Sequence, residues 1–138
     1  MSTLTTDLTV ADVLLARNKV PVVSPKTLFK KTLEEMGKYR LGIACVVDDD
    51  GSLLGIVTDG DIRRRLLKDQ KPFPALFADD TIVHATANPT TALPSTPLIE
   101  ILQVMEKTGI WDLPVVDESN QFIGLLHLHP AIKAVLGI

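Results

Sequence analysis

An internal repeat constrains this chain more than any other feature of its sequence. When the 138 residues are shifted by 69 positions against themselves, identical residues align between the two halves without a gap. The aligned identities are Pro25 with Pro94, Thr27 with Thr96, Leu33 with Leu102, Met36 with Met105, Lys38 with Lys107, VVD 46–48 with VVD 115–117, and Gly55 with Gly124. Two copies of one unit therefore account for nearly the whole chain.

Each copy predicts the order strand, helix, strand, strand, helix. The first strand is expected near VPVVS (20–24) in one copy and near PTTAL (89–93) in the other. Thr27 and Thr96 are predicted as N-caps of the first helix, because a threonine hydroxyl accepts a free N–H of the first turn. Pro97 suits the first helical position.

A hairpin and a second helix complete each predicted copy. The two apolar runs of each hairpin are joined by a polar turn that contains Gly51 or Asn120, residues that tolerate the positive φ of a tight turn. The acidic run Asp48–Asp50 is interpreted as part of the hairpin turn, where Asp is favoured and solvated. The second helix is expected over 60–69 in one copy and over 130–138 in the other.

Composition and repeat together favour an α+β fold. Apolar residues make up 46% of the chain but aromatic residues only 4%, so the core must consist of Val, Ile, Leu and Ala. The predicted boundaries are one repeat at 8–69, a proline-containing linker at 70–80 and a second repeat at 81–138. Because one copy alone buries little apolar surface, the two are expected to share a core.

Charge and hydropathy exclude several classes of partner. The net charge of -3 does not suit a nucleic-acid-binding protein. The sequence contains no signal peptide and no apolar stretch near the roughly 20 residues that span a bilayer, so a cytoplasmic protein is expected. Cys45, the single cysteine, lies in an apolar run and is expected to be a buried, inert thiol.

Catalytic and metal sites are not predicted. The sequence has no recognisable nucleophile and base pair and no glycine-rich phosphate loop. His127 and His129 are expected to alternate along a strand and share a face, but two histidines are too few for a metal centre. His84 is distant in sequence.

The segment GIVTDGDIRR (55–64) is the strongest candidate for a binding site. Asp61 could accept the hydroxyl protons of a ribose, and Thr58 could contact a phosphate. A helix that begins near Gly60 would add N–H groups, and Arg63 and Arg64 could neutralise the phosphate. The same spacing also describes a capping box, worth on the order of 1 kcal/mol, in which Thr58 and Asp61 only stabilise the helix. Both interpretations remain open.

The flat nucleobase of such a ligand would need an apolar slot beside this corner. Gly42, Ile43, Ala44 and Val22 are the candidates, although they would serve equally well as core residues. The 69-residue shift aligns His127 of the second copy with Thr58 of the first. His127 could contact a phosphate or sugar, or simply be a polar residue at a strand end.

The ungapped repeat, the paired VVD hairpins and GIVTDGDI together resemble a tandem pair of CBS domains. The resemblance implies two β-α-β-β-α repeats that pack through their sheets with pseudo-two-fold symmetry and bind a nucleotide between them. Pro130 departs from the pattern, since relatives place Asp there, and this implies a degenerate second site.

Within that family, the chain is similar to the pair that follows the sugar isomerase domain of arabinose 5-phosphate isomerases. The segments that carry this similarity are PVVSP, RLGIACVVDDDGSLLGIVTDGDIRR and LHLH; TDGDIRR also occurs in pairs attached to sugar nucleotidyltransferases. The resemblance implies a regulatory module of Kdo, lipopolysaccharide or capsule biosynthesis. The isomerase domain is absent, so this chain alone is not expected to be an enzyme.

The resemblance also implies particular partners. No cofactor is required, and the expected effector is an adenine nucleotide (AMP or ATP) or a CMP-sugar. The expected protein partners are a sugar isomerase domain, in the same longer chain or in another, and a second copy in a homodimer. The alternatives are a module that binds no ligand and only orders an oligomer, and the regulatory pair of a sugar nucleotidyltransferase.

Overall fold

The computed structural model describes residues 7–138, which divide into two compact units. The first unit is continuous and comprises Asn18–Pro89. The second unit is discontinuous and combines residues 7–17 with Thr90–Ile138. The first unit holds residues 18–69 of the first predicted repeat, and the second unit holds residues 90–138 of the second. Residues 8–17 belong to the second unit and residues 81–89 to the first, so a segment of each predicted repeat lies in the other unit.

The described residues form seven strands and six α-helices. In chain order, the strands are β1 (Leu15–Ala16), β2 (Val22–Val23), β3 (Ile43–Val47), β4 (Leu53–Thr58), β5 (Thr86–Ala87), β6 (Asp112–Val116) and β7 (Phe122–His127). The helices are α1 (Phe29–Tyr39), α2 (Asp59–Lys68), α3 (Phe73–Phe77), α4 (Thr81–His84), α5 (Leu98–Thr108) and α6 (Leu128–Leu136).

The first unit contains a four-stranded sheet in the order β2-β3-β4-β5. β2 is parallel to β3, and the other neighbours are antiparallel. The predicted hairpin is confirmed as β3 and β4, and its turn contains Gly51 at φ 91°. All five residues of β3 are buried, and α1 covers the sheet with Phe29 and Met36. The buried thiol of Cys45 lies in β3, as predicted.

The second unit contains a three-stranded sheet in the order β1-β7-β6. The hairpin β6–β7 is antiparallel, and its turn contains Asn120 at φ 63°, as predicted. The expected strand near 89–93 is reduced to one parallel bridge between Ala92 and Val115. Leu98 and Met105 of α5 pack in the core of this unit.

The prediction that Thr27 and Thr96 cap the first helices is wrong. The N-cap residues are Leu28 and Pro97, and neither helix receives a side-chain cap hydrogen bond. The hydroxyl of Thr27 instead accepts the N–H of Ser24 at 3.0 Å, so it closes the turn before the helix.

Backbone carbonyls of a distant segment replace the missing caps. The N–H of Phe29 donates to the carbonyl of Asp79, and the N–H of Leu98 donates to the carbonyl of Leu8, both at 2.8 Å. Residues 79–87 and 8–16 thus occupy equivalent places, related by a shift of 71 rather than 69. Each segment also supplies one edge strand of its unit's sheet, β5 or β1.

The predicted linker at 70–80 is partly helical. It contains α3, whose Leu76 is buried in the core of the first unit and anchors the segment there. Residues 79 and 80 of the predicted linker belong to the segment 79–87, whose Asp79 carbonyl accepts the first N–H of α1. The repeat boundaries 8–69 and 81–138 stay predictions.

Each helix within residues 7–138 is too short or too polar to cross a lipid bilayer.

Candidate functional site

The junction between β4 and α2 is held by two residues that bond reciprocally. Thr58 is the N-cap of α2, and its hydroxyl accepts the N–H of Asp61 at 3.2 Å. In return, Asp61 Oδ2 accepts the N–H and the hydroxyl of Thr58, each at 3.0 Å. The capping-box interpretation of this spacing is therefore confirmed. The hydroxyl proton predicted to contact a phosphate is directed at Asp61.

The other carboxylate oxygen of Asp61 has different partners. Oδ1 accepts a hydrogen bond from Arg64 Nη2 at 2.7 Å and one from the hydroxyl of Thr86 at 3.0 Å. The two oxygens thus divide their roles, since Oδ2 caps the helix and Oδ1 binds exposed side chains. Thr86 was not predicted as part of this corner, because it follows Asp61 by 25 residues and lies in a two-residue strand that has no sequence periodicity.

These contacts keep Asp61 ionised. Partial burial raises the pKa of the Asp61 carboxyl, but hydrogen bonds from Arg64, the Thr58 N–H, Thr86 and the Thr58 hydroxyl outweigh this effect and lower the pKa overall. The side chain is only 12% exposed. An anionic acceptor at a strand end suits ligands that carry hydroxyl groups.

Gly60 and the two arginines lie in the first turns of α2. A Cβ atom at Gly60 would be 3.2 Å from Nη1 of Arg64, so the absence of a side chain leaves room for the guanidinium beside Asp61. The Arg64 side chain is 64% exposed. Arg63 is also exposed, on the same helix.

The predicted base slot is mostly core. Ile43 and Ala44 are 1% and 0% exposed, whereas Val22 and Gly42 are partly exposed. The carbonyl of Gly42 accepts the N–H of Asp59 at 3.0 Å, which brings the start of β3 to the corner. A cavity of about 320 Å³ opens beside Gly42; it is lined by Leu33, Met36, Gly37, Arg40, Leu41, Gly42, Asp59 and Ile62.

His127 occupies the equivalent corner of the second unit. It ends β7, and its Nδ1 lies 2.6 Å from Oδ1 of Asp112 at the start of β6. The prediction that His127 and His129 share a strand face is wrong, because α6 begins at Leu128 and places His129 in the helix. Among residues 7–138, no group of three or more His, Cys, Asp or Glu side chains is arranged to hold a metal ion.

A second polar cluster, which the sequence did not indicate, lies in the first unit. His84 is buried against the ring of Phe29, and its Nε2 is 2.9 Å from Oδ2 of Asp79. Lys71 Nζ lies 2.8 Å from both oxygens of Asp79. Hydrogen bonds from Lys71 and His84 lower the pKa of the Asp79 carboxyl.

Comparison with known proteins identifies the family of both repeats. The CBS domain family profile matches residues 4–68 and 78–136. An uncharacterized protein of Helicobacter pylori J99 is 37% identical over a 126-residue alignment that covers 87% of this chain and 35% of that protein. Arabinose 5-phosphate isomerase KdsD of Francisella tularensis is 31% identical over 129 residues, 94% of this chain and 38% of the enzyme. The chain thus spans little more than a third of these relatives' length.

Solved structures agree with this assignment. CBSX2 in complex with AMP superposes with a TM-score of 0.82 at 28% identity and covers 94% of this chain and 97% of that one. The CBS-pair protein CBSX2 from Arabidopsis thaliana gives a TM-score of 0.79 at the same identity, with 96% of each chain covered. The chain therefore belongs to the CBS domain family, as a tandem pair of repeats with an α+β fold.

Proposed function

We propose that this chain is a regulatory module that senses a nucleotide through the corner at Asp61. The observation that carries the proposal is the division of roles between the two oxygens of Asp61. Oδ2 can keep capping α2 while Oδ1 exchanges its partners for a ribose hydroxyl. Binding and helix capping therefore need not compete, although both use one carboxylate.

The partners of Oδ1 suit such an exchange. Arg64 and Thr86 are both exposed, so water can replace Asp61 as their hydrogen-bond partner. Once released, the Arg64 guanidinium could pair with the phosphate of the same ligand, because it is attached one turn further along α2. Arg63 and the N-terminus of α2, which has ten residues, would add positive potential.

An adenine nucleotide is the favoured ligand class, and a CMP-sugar is the other candidate. The AMP complex of CBSX2 supports the first. The similarity to arabinose 5-phosphate isomerases supports attachment to a sugar isomerase domain, for which a nucleotide-activated sugar is a sensible end-product signal. In this proposal the ligand favours one arrangement of the pair and thereby changes the attached activity.

The test compares two aspartates that occupy the same local motif. Asp12 forms a capping box with Thr9, whose N–H donates to Asp12 Oδ2 at 2.8 Å. Asp61→Asn keeps a capping oxygen but removes the anionic acceptor, so we expect AMP binding about tenfold or more weaker by calorimetry. Asp12→Asn should bind AMP like the wild type.

One outcome would favour a different function. The Asp61 side chain is fully hydrogen-bonded within the protein, which also suits a module that only orders an oligomer. If millimolar AMP, ATP and CMP leave the melting temperature of the wild type unchanged, the sensing proposal is wrong and this alternative gains support. If Asp61→Asn binds AMP as tightly as the wild type, the assignment of Asp61 is wrong.

A further inference from the structure

The edge strand β5 is weakly held by its own backbone pairing. It consists of Thr86 and Ala87, both exposed, which pair with Ile56 and Gly55 of β4. Strands of two residues contribute few ladder hydrogen bonds, and exposed edges are among the first segments to open. The position of β5 therefore depends strongly on side-chain contacts.

The hydroxyl of Thr86 makes such a contact with the first turn of α2. It donates to Asp61 Oδ1 at 3.0 Å, and hydrogen bonds to a carboxylate are stronger than those between neutral groups. The equivalent residues of the second unit are Leu15 and Pro130, which lack both the hydroxyl and the carboxylate. The contact is therefore specific to the corner of the first unit.

We infer that Thr86 is a positioning residue that couples ligand occupancy of Asp61 to the order of β5. This inference depends on the proposed function. A ribose hydroxyl that takes Oδ1 displaces the Thr86 hydroxyl, and β5 then keeps only its short pairing with β4. β5 is followed by Asn88 and Pro89, where the chain leaves the first unit. Ligand binding thus loosens one of the two places, 17/18 and 89/90, at which the chain passes between the units.

Thermodynamic linkage makes the inference quantitative. If the Thr86 contact weakens ligand binding by a given factor, the ligand must weaken the Thr86 contact by the same factor. Removing the hydroxyl therefore has two effects of opposite sign. β5 becomes less ordered without ligand, whereas the affinity for ligand rises. A purely structural role for Thr86 would not increase affinity.

The experiment measures AMP affinity by calorimetry and β5 amide exchange by NMR in four proteins. These are the wild type, Thr86→Val, Thr86→Ser and the nearby control Thr90→Val. We expect Thr86→Val to bind AMP about three- to tenfold tighter, a change that corresponds to the loss of one competing hydrogen bond. Thr86→Ser and Thr90→Val should match the wild type.

Hydrogen exchange of the β5 amides is the second measurement. AMP should accelerate exchange of the β5 amides in the wild type, whereas Thr86→Val should exchange faster without ligand and respond little to AMP. Unchanged AMP affinity in Thr86→Val, while Asp61→Asn still binds AMP more weakly than the wild type, would overturn the inference and leave the proposed function intact. Unchanged ligand-free exchange in Thr86→Val would overturn the inference even if AMP does not bind at all.

Discussion

Thr58 and Asp61 bond to each other in both directions across the first turn of α2. The hydroxyl of Thr58 accepts the Asp61 N–H, and the Asp61 carboxylate accepts the Thr58 N–H at 3.0 Å. This reciprocal contact satisfies two N–H groups that a helix N-terminus otherwise leaves without partners. It also fixes the carboxylate that we propose as the ribose acceptor.

Replacement of Thr58 by valine should destabilise the first unit. Thr58→Val removes the acceptor of the Asp61 N–H while it preserves side-chain shape, so the free energy of unfolding in urea should fall by about 1 kcal/mol. Thr9→Val, in the capping box of a three-residue helical turn, is the matched control and should cost less. An equal loss in both variants would mean that the corner at Asp61 has no special structural role.

Stability should decline in acid because carboxyl groups that include Asp61 and Asp79 have lowered pKa values. Hydrogen bonds in the folded state lower the pKa of Asp61 and of Asp79. Their charged forms therefore stabilise the fold above the ordinary aspartate pKa of about 4, and this stabilisation is lost as the pH falls through the lowered folded-state values. Urea midpoints between pH 7 and pH 2 would measure the decline.

A variant can assign part of this acid sensitivity. Asp79→Asn should flatten the stability profile below about pH 4, since the amide does not titrate. Asp49→Asn, the same change at an exposed position of the β3–β4 turn, is the control. A profile that is identical in wild type and Asp79→Asn would show that Asp79 does not contribute.

Alanine substitution at two glycines of the first unit should change the stability of the fold in opposite directions. A Cβ atom at Gly55 would lie 2.6 Å from the carbonyl oxygen of Thr86, so Gly55→Ala must displace β5 and should cost on the order of 1–3 kcal/mol. A Cβ atom at Gly37, inside α1, meets nothing within 4 Å, and Gly37→Ala should stabilise the helix by up to about 1 kcal/mol. Equal effects in thermal unfolding would contradict the close approach of β5.

The polar pair Asp79 and His84 should be replaceable by its counterpart in the other unit. The shift of 71 residues places Leu8 and Val13 at the equivalent positions, where both pack on the apolar core. The double variant Asp79→Leu with His84→Val should unfold at the same temperature or a few degrees higher, since apolar residues often replace a buried polar group together with its partner without loss.

The single variants provide the contrast. Asp79→Leu alone leaves the buried imidazole of His84 without its carboxylate partner and should lower the melting temperature. If the double variant melts well below the wild type, the pair stabilises the first unit in a way that apolar packing cannot replace.

Local features of this protein could be predicted from sequence because they depend on residues a few positions apart. The hairpin turns follow from Gly51 and Asn120, which tolerate positive φ, and the capping box follows from the three-residue spacing of Thr58 and Asp61. The 69-residue repeat predicted two copies of one fold, and the family profile confirmed that assignment.

The sequence could not predict which segment completes each repeat. Thr27 was a reasonable cap by local chemistry, but the carbonyl of Asp79 satisfies the first N–H of α1 across 50 positions of sequence. The two-residue strands β1 and β5 have no periodicity that could mark them. Their places became apparent only from the tertiary structure.

The sequence by itself therefore determined the repeat, its hairpins and the capping box of Thr58 and Asp61, since the turns and this cap depend on residues a few positions apart. The tertiary structure decided the partners of Asp61 Oδ1 and the burial of His84. The Thr86 contact with Asp61 and the packing of His84 on Phe29 join residues far apart in the chain, and only the folded path of residues 79–87 brings them together.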